Sequence, residues 1–281
     1  VPAVGNAANA AVAASRLGLH SALLTNLGDD KNGTDCIEAL QEENVGTQFV
    51  AIRKSKKTNY HYVLWYKDDR TILVKHEQYD YKLYDFDEPK WVYLSSLGEN
   101  SLPFHQELTA YLNERPEIKL AFQPGTFQIK LGKEALKDLY KRSDLFFCNK
   151  EEAQRILGLA DDHDDVKSLL KMMAELGPKI VVITDGVKGA YSYDGKETLF
   201  MRPYPDPAPP FERTGAGDAF SSTFTAALAL GKSVREAMMW APINPMSVVQ
   251  QVGARAGLLT REQIEAYLAK APADYEPQVL E

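Results

Sequence analysis

The sequence predicts an α/β fold, a mostly parallel central sheet covered by helices on both faces, and three observations carry that expectation. Short apolar runs alternate along the chain with helical stretches. The most apolar run, Ile180-Val181-Val182-Ile183, has no polar face, which suits a strand covered on both sides. One segment only departs from the alternation: two strand-like runs lie on either side of Lys67-Asp68-Asp69 with no helix between them.

In chain order, the alanines at 7, 8, 10, 11, 13 and 14, with Val12 and Leu17, read as a close-packed helix ending at Gly18. Ala22-Leu23-Leu24 reads as a buried strand closed by Gly28-Asp29-Asp30, and 34–43 as an amphipathic helix with Ile37 and Leu40 inward. Strands follow at 91–94, 120–122 and 145–148, separated by helices at 104–112 and 133–140; two helical stretches then precede the strand at 180–184. Beyond Phe200 the chain is Pro-rich (Pro203, Pro205, Pro207, Pro209, Pro210), too rigid for helix or central strand, and reads as a loop. The last quarter predicts helices at 216–230, from 234 to about 252, and at 261–269.

The exceptional hairpin covers 59–66 and 70–75. Tyr60, Tyr62, Leu64 and Tyr66 share one face, and His61, Val63 and Trp65 the other, so both faces are partly apolar. It reads either as an edge packed on the core or as a lid over a substrate cleft. The second reading divides the chain into an α/β domain of 1–52 and 80–281 and a β-hairpin lid of 53–79. A hairpin apolar on both faces also invites a homodimer through the lid.

With 281 residues the chain can bury one large core. A net charge of −7 without any basic block argues against a nucleic-acid partner. Cys36 and Cys148 stand far apart and outside any CxxC pattern, so neither a disulfide framework nor a zinc site is expected, and a cytoplasmic protein is. No apolar run reaches membrane-spanning length, so no membrane partner is expected. Val1 stands where a start methionine would, and the expectation is that an upstream segment was removed.

Chemistry concentrates in Glu212-Arg213-Thr214-Gly215-Ala216-Gly217-Asp218-Ala219-Phe220. Small residues at 215–217 let backbone N–H groups converge, and the apolar helix that follows presents its unpaired first-turn donors there. Such a helix mouth binds anions. Asp218 lies in the same turn, where the helix end is expected to keep its carboxylate ionised. An anion cradle beside a carboxylate suits phosphoryl transfer to a hydroxyl, with the carboxylate taking the proton. The same residues also fit an ordinary glycine-rich turn with Asp218 in the helix's first turn. Two look-alikes fail: Gly215-x-Gly217-x-x-Phe220 lacks the third glycine of a dinucleotide fingerprint, and Gly231-Lys232-Ser233 has Ala226 where a Walker A loop begins with glycine.

Thr214-Gly215-Ala216-Gly217-Asp218 resembles the C-terminal signature of the ribokinase-like (PfkB) carbohydrate kinases. Gly5-Asn6-Ala7-Ala8-Asn9-Ala10-Ala11, then Gly18 and Gly28, resemble the N-terminal one. Asn149-Lys150-Glu151-Glu152 is similar to the family's NxxE, Thr184-Asp185-Gly186-Val187-Lys188-Gly189 to its TxGxxG segment, and Val252-Gly253-Ala254 to its last turn. The ordered set spans nearly the whole chain. The resemblance implies a ribokinase-like fold with a small β lid, ATP and Mg²⁺ as cofactors, Asp218 as catalytic base, and the amides of Gly215, Ala216 and Gly217 as anion hole. Asn149, Thr184, Gly186, Gly189 and Asn244 would bind the nucleotide, and Glu152 would hold Mg²⁺ through water. Gly5, Asn6 and Asn9 would face the substrate. Asn149 also reads as a plain helix cap, Thr184 to Gly189 as a strand exit, Asn244 as part of a helix-breaking turn, and 5–9 as a small-residue helix start.

The chain departs from the pattern in four places. Val4 replaces a glycine, Glu212-Arg213 replaces the commoner Asp-Thr, and Thr223 stands where a smaller residue is usual. Complete members also carry a first strand, a substrate-binding Asp and part of the lid ahead of the first signature, which implies that these are missing here. In related kinases the stretch at 212–213 helps to bind a monovalent cation, so the replacement speaks against K⁺. Three acceptor classes stay open: a sugar; a sugar acid, for which Arg53, Lys54 and Arg70 are the candidate cations; and a nucleoside stacked on Tyr60, Tyr62, Trp65 or Tyr66. A kinase-like fold that binds nucleotide or sugar without turnover is the non-enzymatic alternative.

Overall fold

The computed structural model describes the chain except residues 67, 68, 85, 87, 161 and 281, and except the side chains of 63, 65, 66, 69, 70, 72 and 74. The stacking candidates Trp65 and Tyr66 and the candidate cation Arg70 therefore lie outside the described residues.

Helix α1 (Asn6–Arg16) starts at Gly5, whose φ of 149° only glycine adopts readily, and buries Asn9, Ala10, Ala11, Val12 and Ala13. The first strand, β1 (Thr25–Gly28), lies downstream of the apolar run expected to form it. Ala22 makes only an isolated bridge to Gly46, so its neighbours settle into a loop. Helix α2 (Lys31–Glu42) begins earlier than its apolar pattern because Asp30 caps it, accepting from the Gly33 N–H at 3.1 Å. Strand β2 (Val50–Arg53) pairs in parallel with β1 as a separate two-stranded sheet.

Strands β3 (Tyr60–Tyr66) and β4 (Asp69–Lys75) form the antiparallel hairpin, again a sheet of its own. Its root is fastened by Asp30, which accepts from the Thr58 hydroxyl at 2.7 Å and the Thr58 N–H at 3.1 Å. A Cβ on Gly28 would lie 2.5 Å from the Lys56 carbonyl oxygen, so glycine is what lets the chain pass there. One hairpin face exposes Tyr60, Tyr62, Leu64 and Leu73. At the hairpin's foot, His61 meets His76 at 6.1 Å between ring centres, and His76 meets Phe127 at 5.6 Å.

The main sheet takes β5 (Trp91–Leu94), then, after α3 (Leu102–Asn113), β6 (Lys119–Phe122). Helix α4 (Thr126–Leu131), unforeseen in the sequence, ends at Gly132, φ 84°, and the helix expected over 133–140 starts later, as α5 (Lys137–Arg142). Next come β7 (Leu145–Asn149), α6 (Lys150–Leu157), α7 (Val166–Glu175) and β8 (Ile180–Thr184). Strands β9 (Ala190–Tyr193) and β10 (Thr198–Met201), unforeseen in the sequence, extend the sheet antiparallel. Helix α8 (Ala216–Ala229) follows the proline-rich loop. The long helix expected after it breaks into α9 (Val234–Trp240) and α10 (Ile243–Val248), since Pro242 cannot donate inside a helix. Helix α11 (Arg261–Ala269) and a short edge strand, β11 (Gln278–Val279), end the described chain.

The sheet has seven strands in the order β11-β10-β9-β8-β7-β6-β5, with β5 to β8 parallel. Its two faces bury alternate residues of the same strands. Leu145, Phe147 and Val182 join Phe224, Met238 and Trp240 on one side. Phe146, Val181 and Ile183 join Phe122, Tyr140 and Leu169 on the other. Each such side chain contributes roughly 1.5–3 kcal/mol by leaving water. The parallel strands thus end along one edge, where Ser95, Gln123, Asn149 and Thr184 lie, the place where ligands bind in sheets of this kind. Among the described residues no helix is long and apolar enough to cross a membrane.

Candidate active site

Helix α8 opens on Gly215 in the left-handed conformation, φ 80°. A Cβ there would sit 2.3 Å from that of Ala254, so the turn at 252–254 packs directly on the glycine. Glu212 fixes that turn by accepting the Gly253 N–H. The Ala219 N–H makes the first helical bond, to the Gly215 carbonyl, which leaves the Gly217 and Asp218 N–H groups in the unpaired first turn. Gly217 serves differently from Gly215: a Cβ on it would meet nothing within 4 Å. Open space therefore lies beside Gly217 on its Cβ side.

Three carboxamides converge on Asp218. Asn6 Nδ2 donates to Oδ1 at 3.1 Å, Asn9 Nδ2 to Oδ2 at 2.9 Å, and Gln123 Nε2 to Oδ1 at 3.4 Å. Small alanines on α1 let it lie close against α8, which brings Asn6 and Asn9 within reach. Burial pushes the Asp218 carboxyl above its ordinary value of 3.8, and the donors from Asn9, Gln123 and Asn6 pull against it without prevailing. Desolvation thus works against the ionised form that the helix end favours. A carboxylate raised in this way is a better proton acceptor.

Asn149 and Glu152 form a reciprocal cap on α6: Asn149 Oδ1 accepts the Glu152 N–H at 2.8 Å and Glu152 Oε2 the Asn149 N–H at 2.9 Å. Burial raises the Glu152 carboxyl, and the negative charges of Glu151 and Asp218 raise it further. Asn149 pairs in register with Thr184 on the neighbouring strand. Beyond it, Gly186 has φ 53° with open space at its Cβ, while a Cβ on Gly189 would lie 2.4 Å from the Met201 carbonyl oxygen. Gly189 is thus required by the approach of β10. Gly5 borders open space at the head of α1. Among the described residues no three His, Cys, Asp or Glu side chains gather closely enough to cage a metal.

One expectation needs correction. Asn244 is fully buried, donating to Thr223 Oγ1 at 2.7 Å and accepting from the Leu259 N–H at 2.8 Å, so its amide is withdrawn from any nucleotide. The same bond accounts for the unusual Thr223, whose hydroxyl is the partner Asn244 needs. Arg53, a candidate for binding an acidic substrate, is tied to Asn26 Oδ1 at 2.7 Å and the Asp80 carbonyl at 3.2 Å. Conversely, Gln123 and the Tyr93 phenol that donates to its Oε1 escaped the sequence reading. The available signal was a lone polar residue at the carboxyl end of a buried strand, just before Pro124-Gly125.

A glycine-opened helix start beside a carboxylate, at the carboxyl edge of a doubly covered sheet, suits a small-molecule kinase. The chain belongs to the pfkB family of carbohydrate kinases, whose pattern matches residues 3–261. It is 26% identical over 252 residues to the ATP-dependent 6-phosphofructokinase of Thermoanaerobacterium thermosaccharolyticum, covering 83% of this chain and 74% of that one. It is also 26% identical to the ribokinase of Bacillus subtilis, over 94% of this chain and 87% of the other. The fold matches that of the Vibrio cholerae O395 fructokinase solved with fructose, ADP and calcium ion, with a TM-score of 0.79 at 21% identity over 94% and 91% of the two chains.

Proposed function

We propose that this kinase transfers the terminal phosphoryl group of ATP to a hydroxyl of a neutral sugar. Asp218 is the general base and the 215–217 amides are the anion hole. The observation that carries the reading is the set of uncharged carboxamides around Asp218, because Asn6, Asn9 and Gln123 match hydroxyls in polarity and bring no charge of their own. For a sugar acid, Arg53 is held by the Asn26 and Asp80 oxygens and Lys54 stands exposed, with neither contacting the Asp218 cluster among the described residues. A nucleoside is the second reading, favoured by Tyr60 and Tyr62, which stand exposed on the hairpin with ring centres 5.3 Å apart.

In this reading the acceptor hydroxyl loses its proton to Asp218 as its oxygen attacks the phosphorus. The amides of the α8 mouth, among which that of Ala216 has a long bond of 3.5 Å to the Arg213 carbonyl, take up the charge on the moving group. Thr184, Gly186 and Gly189 flank the nucleotide at the ends of β7 and β8, and 53–79 closes over the acceptor as a lid. Glu152, with Asn149 beside it, suits Mg²⁺: an oxygen donor made unfavourable by burial and by like charges is one that a hydrated divalent cation relieves. When bound, Mg²⁺ neutralises charge on the phosphates. No monovalent cation is included, since the Glu212 carboxylate is engaged by the Gly253 N–H. A homodimer through the lid would cover the exposed Tyr62 and Leu73, and a monomeric mass by light scattering removes that part.

ATP consumption measured against a panel of neutral sugars, sugar acids and nucleosides tests the reading. Turnover confined to neutral sugars is expected. Turnover with sugar acids alone overturns the acceptor class, and no turnover with any member moves the protein to the non-catalytic alternative.

A further inference from the structure

The turn that carries Gln123 is held more firmly than a substrate contact requires. The Gln123 N–H donates to the Leu94 carbonyl at 2.9 Å. Just beyond it, the wholly buried Gln128 accepts the Gly125 N–H at 3.0 Å and donates to the Ser95 carbonyl at 2.8 Å. A Cβ on Gly125 would lie 2.1 Å from the Ser96 hydroxyl, so the turn sits flush against the end of β5. The backbone at 123 is thereby fixed relative to β5, whose residue Tyr93 pairs in register with Ala121.

The side chain is fixed as well. Gln123 Oε1 accepts the Tyr93 phenol while Nε2 donates to Asp218 Oδ1. Only one orientation of the amide satisfies both neighbours, because a phenol hydrogen needs an acceptor and a carboxylate needs a donor. The reversed amide would set oxygen against carboxylate oxygen. Burial and the nearby Asp218 charge hold the Tyr93 phenol far above its ordinary titration range, so it stays a donor at working pH. Ser221, one turn after Gly217 on α8, donates to the Gly217 carbonyl at 2.7 Å and also reaches this phenol.

We propose that Tyr93 and Gln123 act in series as positioning residues for Asp218: the phenol fixes the amide, and the amide fixes the carboxylate and favours its ionised form. The inference rests on Asp218 being the base. It adds that the base is set from β5 and β6 as well as from α1, and that its titration depends on a phenol that does not touch it.

The test uses Tyr93→Phe, Gln123→Met and the double variant, with Gln123→Glu as a fourth protein. Loss of the Gln123 donor is expected to lower kcat about tenfold, the scale of one hydrogen bond to a charged group, and loss of the Tyr93 phenol by no more than that, with KM for ATP unchanged. The acid limb of kcat/KM should move up by about one pH unit, and further in Gln123→Glu, where a second carboxylate faces Asp218. In series, the double variant should do no more than Gln123→Met alone. Carboxyl titration of ¹³C-labelled protein by NMR, with the Asp218 signal assigned by its loss in Asp218→Asn, reads the same shift without substrate or turnover. A Gln123→Met profile and titration superimposable on the wild type, or additive losses in the double variant, overturn the proposal. Should Asp218→Asn retain full turnover, the base assignment fails instead, and the NMR titration still decides whether Tyr93 and Gln123 govern that carboxyl.

Discussion

Asn9 and Asn244 are withdrawn from water almost equally, at 2% and 0% exposure, yet they have opposite surroundings. Asn244 has both ends of its amide matched, to Thr223 and Leu259, and joins α8 to α10 and to the segment before α11. Asn9 gives its N–H to Asp218, while its Oδ1 has no partner among the described residues. Buried polar groups in a core are normally paired, so the completed amide belongs to structure, while the unmatched Asn9 oxygen, one of several such buried atoms among the described residues, gains its interest from adjoining Asp218. The core around Asn244 is finished without a ligand. The surroundings of Asp218 hold an unmatched acceptor and a carboxyl raised by burial.

The largest expected effect breaks that comparison on the site side. Asp218→Asn should lower kcat by about 10²–10⁴, the usual worth of a general base, with ATP affinity little changed. Undiminished turnover would remove Asp218 from the mechanism. Next comes the pair of glycines. Gly217→Val points its side chain into open space, so it should leave the fold intact and cost about 10²–10³ in kcat, as for a lost oxyanion donor. Gly215→Ala strikes Ala254 at a positive φ and should lower the melting temperature instead. Equal thermal losses in both would show that the two glycines share one role.

The amides themselves follow. Asn244→Ala leaves the Thr223 hydroxyl and the Leu259 N–H without a partner and should cost about 1–3 kcal/mol in urea unfolding, with kcat unchanged in the protein that remains folded. Asn9→Ala should show the reverse order, losing turnover before stability. If Asn244→Ala abolished catalysis with stability intact, the buried amide would belong to the site after all.

These contrasts also show what the sequence could and could not reveal. Period and apolar runs located β5 and β8 at their observed bounds, and the glycines and Asp218 pointed to the helix mouth, because such features are local. Asn244, Thr223 and Gln123 were misjudged or missed, since each is defined by a partner distant in the chain: 21 residues separate Asn244 from Thr223, and 95 separate Gln123 from Asp218. The strands β9 and β10 went unread for a related reason. Tyr191 and Tyr193 alternate with small or polar neighbours, and the pairing that makes them strands is tertiary. The carboxyl's raised pKa was the subtlest loss, because the sequence shows the helix end that lowers it and hides the walls that raise it.

The smallest effect expected is a difference in slope with pH between two enclosed aspartates. Burial also raises Asp144, but the Lys179 hydrogen bond, the Leu120 N–H, and the charges of Lys179 and Lys119 bring it below the ordinary 3.8. Below that value the unfolded chain binds more protons at 144 than the native one, so stability rises with pH up to 3.8 and is lost as pH falls through the depressed native value. Asp218 runs the other way. Its native pKa lies above 3.8, the native state holds the proton longer, and stability falls as pH climbs from 3.8 through the native value, staying flat beyond. Urea unfolding of wild type, Asp144→Asn and Asp218→Asn across that range separates the two. Read as wild type minus variant, the Asp144 difference should grow with pH at the acid end, and the Asp218 difference should shrink with pH above it. A static effect of either asparagine shifts its curve without changing the slope. Parallel slopes would mean that Asp218 is no more burdened by its surroundings than a structural carboxylate, and the contrast between finished core and unfinished site would fail at its most sensitive point.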